Sequence, residues 1–203
     1  MKKLASLVFA ACALNAPVYA HQQGDIFARF GVASVMPNES SDNVLDTGEL
    51  AIDSNAQLGL TLTYMYTDNF GIELLAATPF THEVSTAGLG KVAEVTHLPP
   101  SLLAQYYFGQ ANDALRPYVG AGINYTVFFD EEGYGALDGT EVSLDDSFGY
   151  ALQAGVDYKI NESWGVNAAL WYINIETDVE TAVGTIDTEI NPTVAMASLV
   201  YQF

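Results

Sequence analysis

The chain has 203 residues, half of them hydrophobic, but it carries 25 acidic residues against 6 basic ones and a formal charge of −19. So acidic a protein has almost nothing with which to neutralise phosphates, which excludes nucleic acid as a partner. After residue 20, no apolar run approaches the ~20 residues that a membrane helix requires. The hydrophobic residues are therefore dispersed along the chain.

Residues 1–20 form a predicted secretory signal peptide. Two lysines precede an apolar stretch from Leu4 to Leu14, and a small-residue cleavage site ends at Ala20. Acylation of Cys12 in a lipoprotein box is the less favoured alternative. We expect the mature protein, residues 21–203, to be one domain with no cysteine, four basic residues and a formal charge of −21.

The mature sequence alternates between apolar and small or polar residues, which is the two-residue period of a β-strand. In one run, Leu58, Leu60 and Leu62 share a face, and Gly59 and Thr61 share the other. Each run is near or above the ~9–11 residues that a tilted strand needs to cross a bilayer. Eight such strands are predicted, at about 25–35, 57–67, 70–80, 97–108, 117–129, 147–160, 164–176 and 194–203.

A secreted β-sandwich would also alternate, but its outer face would be polar and charged. Here the second face is mostly Gly, Ala, Thr and Ser, which is too small for a solvated surface. Aromatic residues gather at the strand ends, as in the girdles of outer-membrane barrels: Phe30, Tyr64, Tyr66, Phe70, Tyr106, Phe108, Trp164, Tyr201 and Phe203. The pattern predicts an all-β fold, an eight-stranded antiparallel transmembrane β-barrel with its apolar side chains facing lipid.

The last strand must close against the first, because hydrocarbon tolerates no open sheet edge. Its alternation ends with Leu199, Tyr201 and the terminal Phe203, a pattern that looks like the signal read by the barrel-assembly machinery. We therefore expect the outer membrane of a Gram-negative bacterium as the location. The expected partners are that machinery, outer-membrane lipid and lipopolysaccharide.

The connections alternate in length, which is typical of outer-membrane barrels with short periplasmic turns and long extracellular loops. The short turns lie at 68–69, 109–116 and 161–163, and the long loops at 36–54, 81–96, 130–146 and 177–188. Acidic residues concentrate in the first and third loops, without the spacing of a calcium loop. Solvation and charge repulsion are the favoured explanation over divalent-cation binding, and neither a metal nor a cofactor is predicted.

Four long segments resemble the outer membrane protein W family: residues 58–82 ("LGLTLTYMYTDNFGIELLAATPFTH"), 97–109 ("HLPPSLLAQYYFG"), 116–130 ("RPYVGAGINYTVFFD") and 169–178 ("ALWYINIETD"). The resemblance covers essentially the whole mature chain. It implies an eight-stranded outer-membrane barrel with a hydrophobic interior that is proposed to admit small apolar molecules. It also implies an apolar constriction, which maps onto Leu75 and Trp171, both on the inward face by the independent strand count.

The inward-facing residues divide by height in the barrel. Charged and amide groups collect in the periplasmic half as a polar plug, namely Arg29, Glu73, Gln105, Asp157, Lys159 and Asn167. Arg29 is expected to pair with Glu73 or Asp157, since an unpaired buried charge is expensive. Above the plug, Leu75 and Trp171 are joined by Ala33, Ala77, Leu103, Phe128, Ala169, Val194 and Met196. This predicts an apolar funnel open to the outside, with room for one small ligand at most.

A small hydrophobic molecule is expected to enter the funnel and, stopped by the plug, to leave sideways into lipid. Pro79, Pro99 and Pro100 lie where two strands meet the second loop, and proline cannot donate to the ladder. The wall should be weakest there, although simple strand termination is the favoured explanation of these prolines.

Two other functional classes compete with uptake. A structural or docking barrel, for example a stress-related protein or a receptor for phage or toxins, is the alternative that shares every fold feature. An enzyme is not expected: His82 and His97 have Ser85 and Ser101 nearby, but the spacing gives no oriented base and nucleophile.

Overall fold

The structure, a computed structural model, describes residues 21–41, 49–140, 142–181 and 184–203. The predicted signal peptide and parts of the first, third and fourth outer loops lie outside these ranges. In the described part of the chain, no helix is long and apolar enough to cross a membrane.

The described residues form fifteen strands and one short 3₁₀ helix, which lies at Gly135–Leu137. The strands are β1 (Ile26–Met36), β2 (Ser40–Ser41), β3 (Leu50–Ile52), β4 (Asn55–Met65), β5 (Phe70–Ala77), β6 (Phe80–Thr86), β7 (Gly90–Leu98), β8 (Ser101–Tyr107), β9 (Leu115–Gly133), β10 (Val142–Leu144), β11 (Ser147–Lys159), β12 (Trp164–Ile173), β13 (Glu176–Thr181), β14 (Gly184–Glu189) and β15 (Thr193–Gln202).

Eight of these strands close an antiparallel barrel in the order β1-β4-β5-β8-β9-β11-β12-β15. The first and last strands pair over ten residues, from Phe27 opposite Gln202 to Met36 opposite Thr193. Beyond that ladder, the Phe203 N–H donates to the Ile26 carbonyl at 3.1 Å. The predicted eight-stranded antiparallel barrel is confirmed, and the pairing of its first and last strands leaves no open edge between them.

The two faces of the barrel wall differ as the alternation predicts. The large apolar side chains point outward, so that Leu60, Leu152 and Leu199 are 50%, 49% and 45% exposed. Their inward neighbours are buried, as at Thr61 and Thr63 of β4. At the periplasmic rim, Trp164 and Tyr201 meet edge to face at 4.9 Å and belong to the aromatic girdle.

The long outer connections differ from the prediction, because most of their described residues are strand rather than solvated loop. Two small sheets stand above the barrel mouth. In one, β3, β6 and β7 continue onto the upper end of β9; in the other, β10, β13, β14 and β2 pair in that order. We call these two sheets, with the 3₁₀ helix, the outer cap. The cap forms because its inner face is apolar, as at Val142 and Leu144 of β10, and must be buried.

Candidate functional site

The outer cap encloses an apolar cavity of about 90 Å³ between its two sheets. We call it the cap cavity. The sequence did not predict this cavity, because its strands lie in segments rich in acidic residues and two of them, β3 and β10, have only three residues each. The missed signal is an alternation of Val, Leu and Ile with polar residues. The lining consists of Leu50, Ile52, Val84, Leu89, Val92, Ala93, Val95, Leu137, Val142, Leu144, Val179, Thr181, Ile186, Thr188 and Ile190.

Aromatic rings and two histidines lie just below the cap cavity. His82 is two residues before Val84 on β6, and His97 is two residues after Val95 on β7, so each histidine shares a strand face with a cavity residue. The two imidazole rings stack nearly parallel, with centroids 5.1 Å apart. Phe80 stacks on both rings and Phe128 lies 5.8 Å from His97. We call His82 and His97 the histidine pair.

Both members of the histidine pair are buried, which disfavours the charged form of each ring. Burial lowers the pKa of His97 to about 3, and the neighbouring His82 adds to that effect. Burial also lowers the pKa of His82, although its bond to the Asp53 backbone opposes the shift. The His82 Nδ1 lies 2.6 Å from the Asp53 carbonyl oxygen, so it is the protonated nitrogen. The Nε2 atom of each ring has no hydrogen-bond partner among the described residues.

The predicted upper lining lies inside the barrel and below the histidine pair. Leu75, Leu103, Trp171, Val194 and Met196 are buried, and they join the cap residues in one continuous apolar cluster. Of the remaining predicted residues, Ala33, Phe128 and Ala169 are buried in the same cluster and Ala77 is half-buried against it. The constriction assigned to Leu75 and Trp171 remains a prediction.

The prediction of a funnel open to the outside is wrong for this structure. Trp171 and Leu103 are each only 1% exposed, because an eight-stranded barrel is filled by its own side chains and the cap covers its mouth. The lining is also less apolar than predicted. Buried Asn124 donates to Ser101 at 3.0 Å and accepts from Thr126 at 2.7 Å. These polar residues alternate with larger apolar ones in the sequence and were not part of the predicted lining.

The centre of the polar plug is Arg29, which is fully buried. Its Nη1 donates to Glu73 at 2.5 Å, and its Nη2 and Nε donate to the two oxygens of Asp157 at 2.6 and 3.1 Å. Arg29 therefore pairs with both of the carboxylates that the sequence offered as alternatives. The Tyr107 hydroxyl accepts a further bond from Nη2 at 2.7 Å.

Other predicted plug residues extend this network. Gln105 accepts from the Tyr107 hydroxyl at 2.8 Å and donates to Gln153, which donates to Glu73 at 2.9 Å. Asn167 donates to Asp157 at 2.8 Å. Lys159 lies apart, half-buried, and donates to Gln202 at 2.9 Å. Apart from Lys159, the predicted plug residues form a connected network in which Arg29, Glu73 and Asp157 are paired.

Two residues that the sequence analysis did not assign close the periplasmic end. His21 stacks on Phe27 with centroids 3.8 Å apart, and its Nε2 lies 3.1 Å from Asp157. Arg116 donates to the backbone carbonyls of His21 and Asp68 at 2.8 Å each. Backbone acceptors leave no mark in a sequence, which is why the role of Arg116 was not predictable.

The prolines lie at a break in the barrel wall. The β5–β8 ladder ends where Leu75 faces Ser101, and the β6–β7 ladder resumes where Phe80 faces His97. We call the interval, residues 76–79 opposite 98–100, the proline gap.

The backbone on each side of the proline gap forms hydrogen bonds with its outer neighbouring strand and not with the opposite side of the gap. The Thr78 N–H donates to the Leu58 carbonyl, and the Pro100 carbonyl accepts from the Tyr125 N–H, both at 3.1 Å. The wall is therefore unpaired beside the histidine pair, and its two sides belong to different neighbouring strands.

Comparison with known proteins agrees with this architecture. The family model described as the OmpW family matches residues 22–203. Outer membrane protein W of Vibrio cholerae serotype O1 is 52% identical, covering 98% of this chain and 98% of that protein. The dibenzothiophene metabolism operon protein PahQ of Pseudomonas aeruginosa is 26% identical, covering 91% of this chain and 89% of that protein.

Two solved structures are similar over nearly the whole chain. The crystal structure of the outer membrane protein OprG from Pseudomonas aeruginosa gives a TM-score of 0.83 at 41% identity, covering 91% of this chain and 98% of that one. The solid-state NMR structure of outer membrane protein AlkL in DMPC bilayers gives 0.68 at 25% identity, covering 100% and 97%. With the closed barrel, its lipid-facing leucines and this family match, the chain is an outer-membrane protein that belongs to the OmpW family.

Proposed function

We propose that this barrel takes up small hydrophobic molecules from outside the cell. The observation that carries the proposal is the continuous apolar cluster that runs from the cap cavity to Leu75 and Trp171. The cap cavity at the outer end of this cluster offers an enclosed apolar surface that favours apolar ligands, because binding removes their surface from water. The relative PahQ is named for the metabolism of dibenzothiophene, a small apolar aromatic molecule.

The solute leaves through the proline gap rather than through the bottom of the barrel. Below Trp171 the path meets Arg29, Glu73 and Asp157, whose ion pairs and hydrogen bonds fill the lumen. An apolar molecule could pass only by breaking those bonds without replacing them, which is expensive in a buried site. The gap beside Phe80 needs no ladder bond to break, because residues 76–79 and 98–100 are not paired with each other.

We further propose that the protein is not an enzyme. In the described part of the chain, His82 bonds to the Asp53 carbonyl and stacks on His97, and neither contact provides an activated nucleophile. The histidine pair is therefore interpreted as part of the solute path.

The experiment measures uptake of naphthalene into vesicles whose outer leaflet is lipopolysaccharide. Wild-type protein should accelerate uptake over protein-free vesicles. Ala93→Trp puts an indole into the cap cavity, which Ala93 lines, and should lower the protein-dependent rate at least about tenfold, the effect of a 1.4 kcal/mol barrier.

The matched control is Ala104→Trp, the same substitution on the exposed lipid face of β8, which should leave uptake unchanged. Equal uptake with and without wild-type protein would overturn the proposal in favour of a structural or docking barrel. Equal uptake rates for the two tryptophan variants would show that the solute does not pass through the cap cavity.

A further inference from the structure

Between the cap cavity and the proline gap, the histidine pair places two nitrogens that have no hydrogen-bond partner in the described part of the chain. His82 and His97 are 3% and 4% exposed, and the Nε2 of each lacks a hydrogen-bond partner among the described residues. Buried polar groups in native proteins are nearly always paired, so two orphaned atoms in adjacent rings require an explanation. Simple aromatic packing would be served as well by phenylalanine.

The tautomer of His82 defines what its Nε2 lacks. Since Nδ1 donates its proton to the Asp53 carbonyl, Nε2 of the neutral ring carries a lone pair and can only accept. The partner it lacks is therefore a donor, an O–H or N–H group. The low pKa of His97 keeps the second ring neutral as well, so the pair does not call for an anion.

The position of the pair suits contact with a passing solute. Val84 and Val95, which line the cap cavity, lie on the same strand faces as His82 and His97. The proline gap opens at the neighbouring pair, Phe80 and His97. A molecule moving from the cavity to the gap passes both imidazole rings.

We propose that the histidine pair binds the hydroxyl or N–H group of the solute, so that the protein prefers apolar molecules that carry one hydrogen-bond donor over pure hydrocarbons and ethers. This inference rests on the proposed uptake function. A hydrocarbon leaves both nitrogens unpaired, whereas an aromatic alcohol donates to His82 and stacks among the rings of Phe80 and Phe128.

The test compares 2-naphthol with 2-methoxynaphthalene, in which a methyl group replaces the donated proton. Dissociation constants are measured by titration calorimetry in lipid nanodiscs, with protein-free nanodiscs as the blank. Wild-type protein should bind 2-naphthol about fivefold more tightly, the factor that one ordinary net hydrogen bond gives.

The double variant H82F/H97F keeps the stacked rings and should lose this preference. H97Q, which keeps a donor and an acceptor at the end of its side chain, should retain it. Equal affinities in the wild type, or a preference that survives in H82F/H97F, would overturn the inference. A preference abolished by W171F alone would do the same and would assign the polar contact to Trp171, whose Nε1 also has no hydrogen-bond partner among the residues that the structure describes.

The uptake assay separates this inference from the function on which it rests. Accelerated naphthalene uptake without a preference for 2-naphthol would retain the uptake function and reject the role of the histidine pair. If neither naphthalene nor 2-naphthol enters faster than in protein-free vesicles, the proposed uptake function itself is wrong.

Discussion

At the scale of single residues, Arg29 is the side chain that allows two carboxylates to be buried inside the barrel. Its guanidinium pairs with both Glu73 and Asp157, and all three side chains are almost fully buried. Burying an ion pair costs desolvation energy that only good geometry offsets. The bidentate contact with Asp157 and the contact with Glu73 provide that geometry.

Arg29→Met should therefore destabilise the barrel strongly. The substitution leaves Glu73 and Asp157 buried without their cation, a change that costs roughly 3–5 kcal/mol for a buried pair. The free energy of unfolding by urea in lipid vesicles measures the loss.

The triple variant R29M/E73Q/D157N removes the uncompensated charges and should recover most of that stability. A single variant as stable as the wild type would show that the ion pairs contribute little. A triple variant as unstable as R29M would show that hydrogen bonding to the arginine, rather than charge balance, is the larger effect.

At the scale of strands, the mechanism depends on the proline gap between the barrel and the cap. Above the gap, β6 and β7 pair again, and the Thr81 and Thr96 hydroxyl oxygens lie 3.0 Å apart. This contact places the two residues close enough for a disulfide after replacement by cysteine. The predicted mature chain has no other cysteine, so the engineered pair would be unique.

Oxidised T81C/T96C should lose most of its protein-dependent naphthalene uptake, because the disulfide fixes β6 to β7 at the upper edge of the gap and so prevents the two unpaired sides of the gap from moving apart. Reduction should restore the rate in the same sample. A matched disulfide between Ala168 and Ala197, which face each other across β12 and β15, should have no effect. Unchanged uptake in oxidised T81C/T96C would place solute release elsewhere.

The strands also show what the sequence alone could predict. Barrel strands such as β4 carry five or more alternating residues with uniform leucines and tyrosines on one face, and their number and orientation were predictable. Cap strands such as β3 and β10 have three residues each, which is too short for a periodic signal. Their pairing depends on contacts between distant segments, as between Leu50 and Thr86.

Part of the candidate site was also predictable from the sequence and part was not. The inward positions of Arg29 and Glu73 follow from the alternation of side chains along each strand. That Arg29 pairs with a carboxylate follows from the cost of an unpaired buried charge. Whether the lumen is open does not follow from parity, since it depends on the rotamers of Trp171 and Phe128 and on the cap above them. The cap cavity could not be predicted, because it lies between two sheets whose strands are far apart in the sequence.

At the scale of the whole molecule, the barrel is complete only when the last strand meets the first. Ten residue pairs join β15 to β1, and the Phe203 N–H extends that ladder to Ile26. The phenylalanine ring itself contributes little to packing, because Phe203 is 76% exposed and meets Tyr201 only edge to face at 5.2 Å. We propose that the ring is recognised during assembly and adds little to the stability of the finished barrel.

Phe203→Ala should therefore separate assembly from stability. Protein refolded into detergent should unfold within about 0.5 kcal/mol of the wild type, as expected for an exposed side chain, because the Ile26 contact uses only the backbone of residue 203. The amount of folded barrel in outer membranes of expressing cells, measured by its heat-sensitive migration in gels, should fall severalfold.

The control is Phe70→Ala, a rim residue that is 50% exposed and packs edge to face on Tyr106 at 5.3 Å; it should assemble normally. Equal assembly of F203A and wild type would show that the terminal ring is not read by the assembly machinery, and a large loss of stability would mean that it acts in closing the barrel.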